Sequence, residues 1–215
     1  MAMAGSLTTN DVIQGPPAPP IDRGWGGGDG SEGFGASRRA SFTGIFVLLA
    51  ASTMVFAAFT SAFVVRRGTG EDWASMPKPP ILLVNTVVLL VSSIVLDMSR
   101  RALKARDRNR FNLWWTAATV LGVLFLIGQA LAWRDLKAAG IFASTNPASA
   151  FFYVLTASHA FHLLGGLAAL IYVDIQALRL RLGPAKRTAI DVSAIFWHFL
   201  DGLWLYLMLI FYLWG

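Results

Sequence analysis

The chain contains no cysteine and few charged residues. Without cysteine it cannot form disulfides, thiolate-bound metal sites, iron–sulfur clusters or a copper site built on two thiolates. Only 14% of its 215 residues are charged, whereas a soluble domain of this length carries about a quarter. Hydrophobic residues make up 55% of the chain. The composition therefore argues against a soluble protein and predicts one that lipid covers.

Five apolar stretches, separated by short polar loops, dominate the sequence. Each contains about the 20 residues that a helix needs to cross a hydrocarbon core of ~30 Å. A helix is the expected form, because it satisfies each backbone group within its own segment and the stretches lack the alternation of barrel strands. We therefore predict an all-α integral membrane protein, a bundle of five transmembrane helices at residues 41–65, 80–99, 113–133, 150–178 and 190–214.

The first 40 residues differ in composition from the rest of the chain. Prolines occupy positions 16, 17, 19 and 20, and a glycine cluster follows at 24–30. Such a segment cannot bury enough apolar surface to fold. The prediction is a disordered Gly/Pro-rich tail at 1–40, followed by a membrane domain at 41–215.

The basic residues predict the orientation of the bundle. Thirteen of the 18 lysines and arginines lie in the tail and in the loops after the second and fourth spans, which share one side of the membrane. The other five lie after the first and third spans, on the opposite side. The positive-inside rule then predicts a cytoplasmic N-terminus and a C-terminus outside. Because these clusters lie between apolar runs, they also account for the net charge of +6 without a nucleic-acid partner.

Two pairs of ionisable residues lie inside the last two spans. His159 and His162 are three residues apart, as are His198 and Asp201, so each pair shares one helix face. One interpretation is an intramembrane metalloenzyme, because these are ligand types for zinc or non-haem iron. The other is hydrogen bonding between the two helices, and it is favoured because the only two glutamates lie outside the spans. A transporter is disfavoured, since no inverted repeat or mid-span Gly/Pro interruption is present.

Glycines within the spans offer a similar choice. Gly165 and Gly166 allow close approach either of a neighbouring helix or of a bound lipid, and helix packing is the commoner reason. Gly122 and Gly128, in the third span, predict packing alone.

The order of motifs in these spans resembles a known family. Residues 155–163 read Leu-Thr-Ala-Ser-His-Ala-Phe-His-Leu, and residues 196–204 read Phe-Trp-His-Phe-Leu-Asp-Gly-Leu-Trp. They are similar to the Leu-Thr-Gly-x-His-Gly-x-His-Val and Tyr-Trp-His-Phe-Val-Asp-x-x-Trp blocks of cytochrome oxidase subunit III. The resemblance covers residues 41–215 and points to the short, five-helix bacterial form of that family.

The resemblance implies an accessory subunit of a haem-copper cytochrome c oxidase in the bacterial cytoplasmic (inner) membrane. Such a subunit contacts subunit I directly, accompanies subunit II and other subunits of the respiratory complex, and supports proton uptake and the stability of subunit I. Haem and copper would reside in partner subunits, and this chain itself would bind no metal and none of these cofactors. The three histidines agree, because a haem-copper catalytic chain needs about half a dozen histidine ligands.

The family also implies a cleft that holds phospholipid, and no catalytic residue in this chain. Carried over by motif, the structural and lipid-binding positions are His159, His162, Gly165, Gly166, Arg179, Trp197, His198, Asp201 and Trp204. The equivalent subunit of a quinol oxidase and the accessory protein of nitric oxide reductase share these motifs, so both remain alternatives.

The sequence departs from the family pattern at several positions. Ser52 stands where many members carry a membrane glutamate, and Ala157 and Ala160 replace glycines around the first histidine. Gln176 replaces an arginine that binds lipid phosphate in some members, although Arg179 is one turn away. These changes indicate a divergent branch and remove any role of the membrane glutamate.

Overall fold

The computed structural model describes residues 30–69, 79–179 and 184–214, and the side chains of 38–69, 79–179 and 187–213. Within these ranges the chain forms five helices and nothing else that is regular: α1 Gly30–Thr69, α2 Ile81–Lys104, α3 Arg108–Ala138, α4 Pro147–Leu178 and α5 Pro184–Trp214. Each of these five is long and apolar enough to cross a membrane. The predicted all-α, five-helix membrane architecture is confirmed, and the orientation stays a prediction.

The helices extend beyond the predicted spans. The first helix begins at Gly30, so residues 30–40 of the predicted disordered tail are helical, and residues 1–29 lie outside the described part of the chain. The third helix likewise covers 108–138 instead of 113–133. The predicted spans were bounded by the apolar run, whereas a formed helix propagates into the polar interface because each added residue gains a hydrogen bond.

Local sequence explains where α2, α3 and α4 begin and end. Arg106 and Gly140 follow α2 and α3 with positive φ angles of 61° and 76°, the left-handed conformation that closes a helix. The Asp107 side chain then accepts a hydrogen bond from the Arg110 N–H at 3.1 Å and caps α3. Asn146 and Ser149 form a capping box at the start of α4. The α2–α3 connection is therefore a tight hairpin.

Helices α2 to α5 form a ring of four, and α1 packs outside it. In the ring α2 contacts α3, α3 contacts α4, α4 contacts α5, and α5 contacts α2, while α1 contacts α4 and α5. The largest fully buried side chains fill the interior, and Trp115, Trp197 and Trp204 are among them. Close antiparallel helices of this kind are typical of bundles with knobs-into-holes packing.

One consequence of this arrangement is a groove along the membrane-spanning length of α5. The backbones of α1 and α2 flank α5 and, over the described ranges, do not approach each other. Among the described helices, none therefore covers the face of α5 between them. We call this feature the α5 groove; its floor is a half-buried or exposed stripe at helical spacing that comprises Asp191, Ile195, His198, Gly202, Leu205 and Leu209.

Candidate functional site

The centre of the ring is occupied by Trp197. Its side chain is fully buried, and its indole Nε1–H donates to the Ser92 hydroxyl of α2 at 3.1 Å. A Cβ atom on Gly122 would lie 2.6 Å from the indole, and one on Gly166 would lie 3.4 Å from it. The two glycines therefore make room for the indole between α3 and α4.

Gly165 and Gly166 face opposite environments. Added at Gly166, a Cβ would also meet Leu200 of α5 at 3.0 Å, whereas one added at Gly165 would have nothing within 4 Å. Gly166 thus serves the close approach of α4 and α5. Gly165 points away from the ring, to the outer surface of α4.

His159 and Trp204 form the next layer of the ring. The His159 imidazole is fully buried, its centroid 5.1 Å from the Trp204 ring and 6.1 Å from the Phe125 ring. Trp204 donates its Nε1–H to the Thr86 hydroxyl of α2 at 3.0 Å. This layer joins α2, α3, α4 and α5 through aromatic contacts and one interhelical hydrogen bond, which is a packing role.

His162 points toward α1. Its Nδ1 lies 2.8 Å from the Ser158 carbonyl oxygen one turn earlier, and its ring is 5.4 Å from the Phe56 ring of α1. Ser52, one turn before Phe56, is buried with 3% exposure. His162 therefore helps hold the outer helix against the ring.

His198 lies on the floor of the α5 groove and faces α2. Its Nδ1 is 2.5 Å from the Ser93 hydroxyl, and its Nε2 is 3.4 Å from the Asp97 carboxylate. Asp201, one turn further along α5, has a carboxyl oxygen 4.0 Å from His198 Nδ1. Three side chains of α2 and α5 thus surround one imidazole.

Two ion pairs of Arg100 connect this cluster to the end of the groove. The Arg100 guanidinium lies 3.4 Å from the Asp97 carboxylate and 3.5 Å from the Asp191 carboxylate. Since Asp97 is on α2 and Asp191 on α5, Arg100 links the two helices. Polar side chains of α2 and α5 therefore lie along the groove from Asp191 to His198, with Ile195 between them, and no charged residue follows on the groove floor.

A basic cavity of about 450 Å³ forms the polar end of the α5 groove. Its charged lining residues come from three helices and comprise Arg38, Arg100, Lys104, Arg187 and Asp191. The Arg38 guanidinium also lies 5.7 Å from the centre of the Phe42 ring, which favours its position on α1. Arg100 is also paired with Asp97 and Asp191, and the positive charge that remains in the lining makes this cavity suited to an anion.

The rest of the groove is apolar. A cavity of about 470 Å³ lies between α1 and α5, with Phe56, Phe199, Gly202 and Tyr206 in its lining. Near the far end a smaller pocket of about 100 Å³ is lined mainly by aromatic, proline and aliphatic side chains. A charged end followed by apolar walls matches the shape and polarity of a phospholipid.

The four residues of the hypothetical metal site do not converge. His198 and Asp201 face α2, His159 lies in the ring, and His162 faces α1. In the described part of the chain, no group of three or more His, Asp or Glu side chains is placed to hold a metal ion. The arrangement instead fits the interpretation in which these groups join helices.

The sequence-based site differs from the groove in its basic residues. Arg179 is exposed at the C-terminal cap of α4 and does not line the basic cavity. In the sequence, the positive-inside rule is sufficient to account for the cations of the cavity, so the sequence does not single them out as a lipid site. The sequence of α2 does contain a pattern that indicates this polar face, because Ser93, Asp97 and Arg100 recur at helical spacing on one side of the helix.

These features define a multi-pass membrane protein in which polar groups join helices and a groove with a basic end and apolar walls runs along α5. The sequence profile of the family described as cytochrome c oxidase subunit III matches residues 40–215. The chain belongs to the cytochrome c oxidase subunit III family.

Several curated relatives are similar over most of the chain. A probable cytochrome c oxidase subunit 3 of Mycobacterium tuberculosis is 31% identical over 176 residues, which cover 79% of this chain and 85% of that protein. Cytochrome c oxidase subunit 3 of Corynebacterium diphtheriae is 28% identical over 175 residues, with the same coverage of 79% and 85%. The subunit 3 of Synechocystis is 27% identical over 177 residues, 79% of this chain and 74% of that protein.

Proposed function

We propose that this chain is the accessory subunit III of a cytochrome c oxidase, a respiratory complex that reduces oxygen and translocates protons. The observation that carries the proposal is the family match over residues 40–215, together with relatives that bear this name. The chain contributes packing, lipid contacts and support for subunit I. Haem and copper belong to the partner subunits.

The test is purification of the native complex through a tag on the C-terminus. A reduced-minus-oxidised spectrum with a-type haem bands, and subunits I and II in the mass spectrum of the co-purified chains, would support the proposal. A complex with other haem types and a quinol-oxidising catalytic chain, or with a nitric oxide reductase, would replace it. A colourless preparation without partner chains would contradict it.

We further propose that the membrane is the bacterial cytoplasmic membrane and that the basic cavity faces the cytoplasm. The support is the excess of Lys and Arg in the tail and in the loops after α2 and α4. The chain has no cysteine, so the labelling of a single introduced cysteine shows on which side of the membrane that residue lies. Ala105→Cys should be shielded from an impermeant thiol reagent in whole cells, and Ser144→Cys should be labelled. The opposite pattern would invert the orientation.

The α5 groove is proposed to hold a phospholipid, with its phosphate in the basic cavity and its acyl chains along the apolar part. Four cations around a cavity of about 450 Å³ support the headgroup position. Each basic residue near an anionic headgroup contributes about 1 kcal/mol. This placement differs from the motif-based one, because it uses Arg38, Arg100 and Arg187 in place of Arg179.

Lipid retention can be measured by mass spectrometry of lipids extracted from the purified complex. The variant Arg187→Gln should lose bound anionic phospholipid, and the control Arg101→Gln, an exposed arginine that does not line the cavity, should retain it. Equal lipid content in both variants and in the unmodified protein would contradict the headgroup position. It would leave the subunit III assignment intact.

A further inference from the structure

The Asp201 carboxyl is a buried acid. Asp201 is 4% exposed, its oxygens make no hydrogen bond of ordinary geometry within the described residues, and the Ser93 hydroxyl is the donor close enough to interact with it. It lies 14 residues beyond Arg187 on α5, which corresponds to roughly 20 Å along the helix at about 1.5 Å per residue. An ionised carboxylate in that position costs several kcal/mol. The carboxyl therefore carries a proton or shares one with a neighbour.

His198 is the neighbour that can share it. One ring nitrogen is 4.0 Å from the Asp201 carboxyl and 2.5 Å from the Ser93 hydroxyl, and the other is 3.4 Å from the Asp97 carboxylate. An imidazole can accept a proton at one nitrogen and release one at the other, and a hydroxyl can both donate and accept. His198 and Ser93 thus connect the buried acid to Asp97.

Asp97 connects this cluster to the basic cavity. About half of its side chain, 49%, lies at the surface of the chain, and Arg100 links it to Asp191 at the cavity. Between the cavity and Asp201, Arg100 lies 3.4 Å from Asp97, and Asp97 lies 3.4 Å from His198 Nε2. A proton can therefore reach the buried acid from one side of the membrane.

The other helices that pack against α5 contribute no further charge next to His198 in the described part of the chain. On α4, His159 stacks on Trp204, and His162 packs on Phe56. On α1, Arg38 lines the basic cavity and does not reach the cluster. The charges that act on the pair are then Asp97 and Arg100 of α2 and Asp191 of α5.

We propose that Asp201 and His198 form a proton-binding site in the middle of the membrane, which fills and empties through Asp97 and the basic cavity. A proton from the aqueous phase binds the Asp97 carboxylate and passes to His198 Nε2, and His198 releases its Nδ1 proton to the Ser93 hydroxyl. The hydroxyl passes its own proton to an Asp201 oxygen, and the reverse sequence empties the site. One proton moves inward, and no bond other than O–H and N–H bonds changes.

This inference goes beyond the role of an accessory subunit and does not depend on the electron donor of the complex. Infrared difference spectroscopy of the purified complex tests it, because a protonated carboxylic acid has a carbonyl stretching band that a carboxylate lacks. The spectrum of the unmodified protein minus that of Asp201→Asn should contain this band at neutral pH, and the band should shift in deuterated water. The control Asp174→Asn, whose carboxylate accepts a hydrogen bond from Thr116 at 2.8 Å, should leave the Asp201 band unchanged.

A second pair of variants tests the route and does not rely on the stability of Asp201→Asn. The variant Asp201→Glu should move the band without removing it, and Asp97→Asn should keep the band but slow its shift after transfer to deuterated water. A carboxylate signature for Asp201 in the unmodified protein would overturn the proton site. A deuterium shift as fast in Asp97→Asn as in the unmodified protein would overturn the route.

Discussion

The substitution Gly122→Ala tests the packing at the centre of the ring. The added methyl group would lie 2.6 Å and 2.9 Å from two carbons of the Trp197 indole and 3.3 Å from Leu167. The indole cannot withdraw easily, because it is fully buried and its Nε1–H is bonded to Ser92 at 3.1 Å. Its other side faces Gly166, where only 3.4 Å would separate an added Cβ from the ring.

The expected loss follows from two opposing effects. Overpacking of a well-packed interior costs about 1–3 kcal/mol. The change from glycine to alanine improves the helix by roughly 0.8 kcal/mol. Because the indole is held on both sides, we expect the overpacking cost to fall in the upper part of its range. The free energy of unfolding should then fall by about 1–2 kcal/mol, which corresponds to roughly 2–8 °C in melting temperature for a chain of this size.

Thermal unfolding of the purified chain in mild detergent, followed by far-ultraviolet circular dichroism, measures this change. Gly165→Ala is the matched control, because an added methyl group there meets nothing within 4 Å and should not lower the melting temperature. Trp197→Phe removes the colliding ring, so Gly122→Ala should cost less in its presence. Equal melting temperatures for Gly122→Ala and Gly165→Ala would refute the reasoning.

Two further substitutions probe the neighbouring contacts. Gly128→Ala should lower the melting temperature, because an added Cβ would collide with the Asn85 carboxamide. Asn85→Ala in the same chain should restore part of the loss. If the losses of stability in the two single variants simply add in the double variant, the contact is contradicted. Trp204→Phe removes the hydrogen bond to Thr86, whose coupling energy should be about 0.6 kcal/mol, the average for such bonds in membranes. A double-mutant cycle with Thr86→Val measures it, and zero coupling would show that the bond contributes nothing.

Some of the helix-joining contacts could be foreseen from the sequence and some could not. The glycines of α3 and α4 were predicted to serve packing, and Gly122, Gly128 and Gly166 do so. Nothing in the sequence told Gly165 from Gly166, because adjacent residues on a helix point about 100° apart and only the position of α5 decides which one is covered. The lipid role of the motif residues stays a prediction.

The sequence by itself determined the five membrane-spanning helices and the family, since span length, apolar content and ordered motifs are properties of contiguous residues. It also placed His159 and His162 on one helix, and His198 and Asp201 on another. The tertiary structure alone decided that these pairs point to different partners. His198 bonds Ser93, a residue 105 positions earlier, because α2 and not α4 covers that face of α5. The rotation of each helix in the bundle depends on side chains from every neighbour at once, and no single stretch of sequence contains that information.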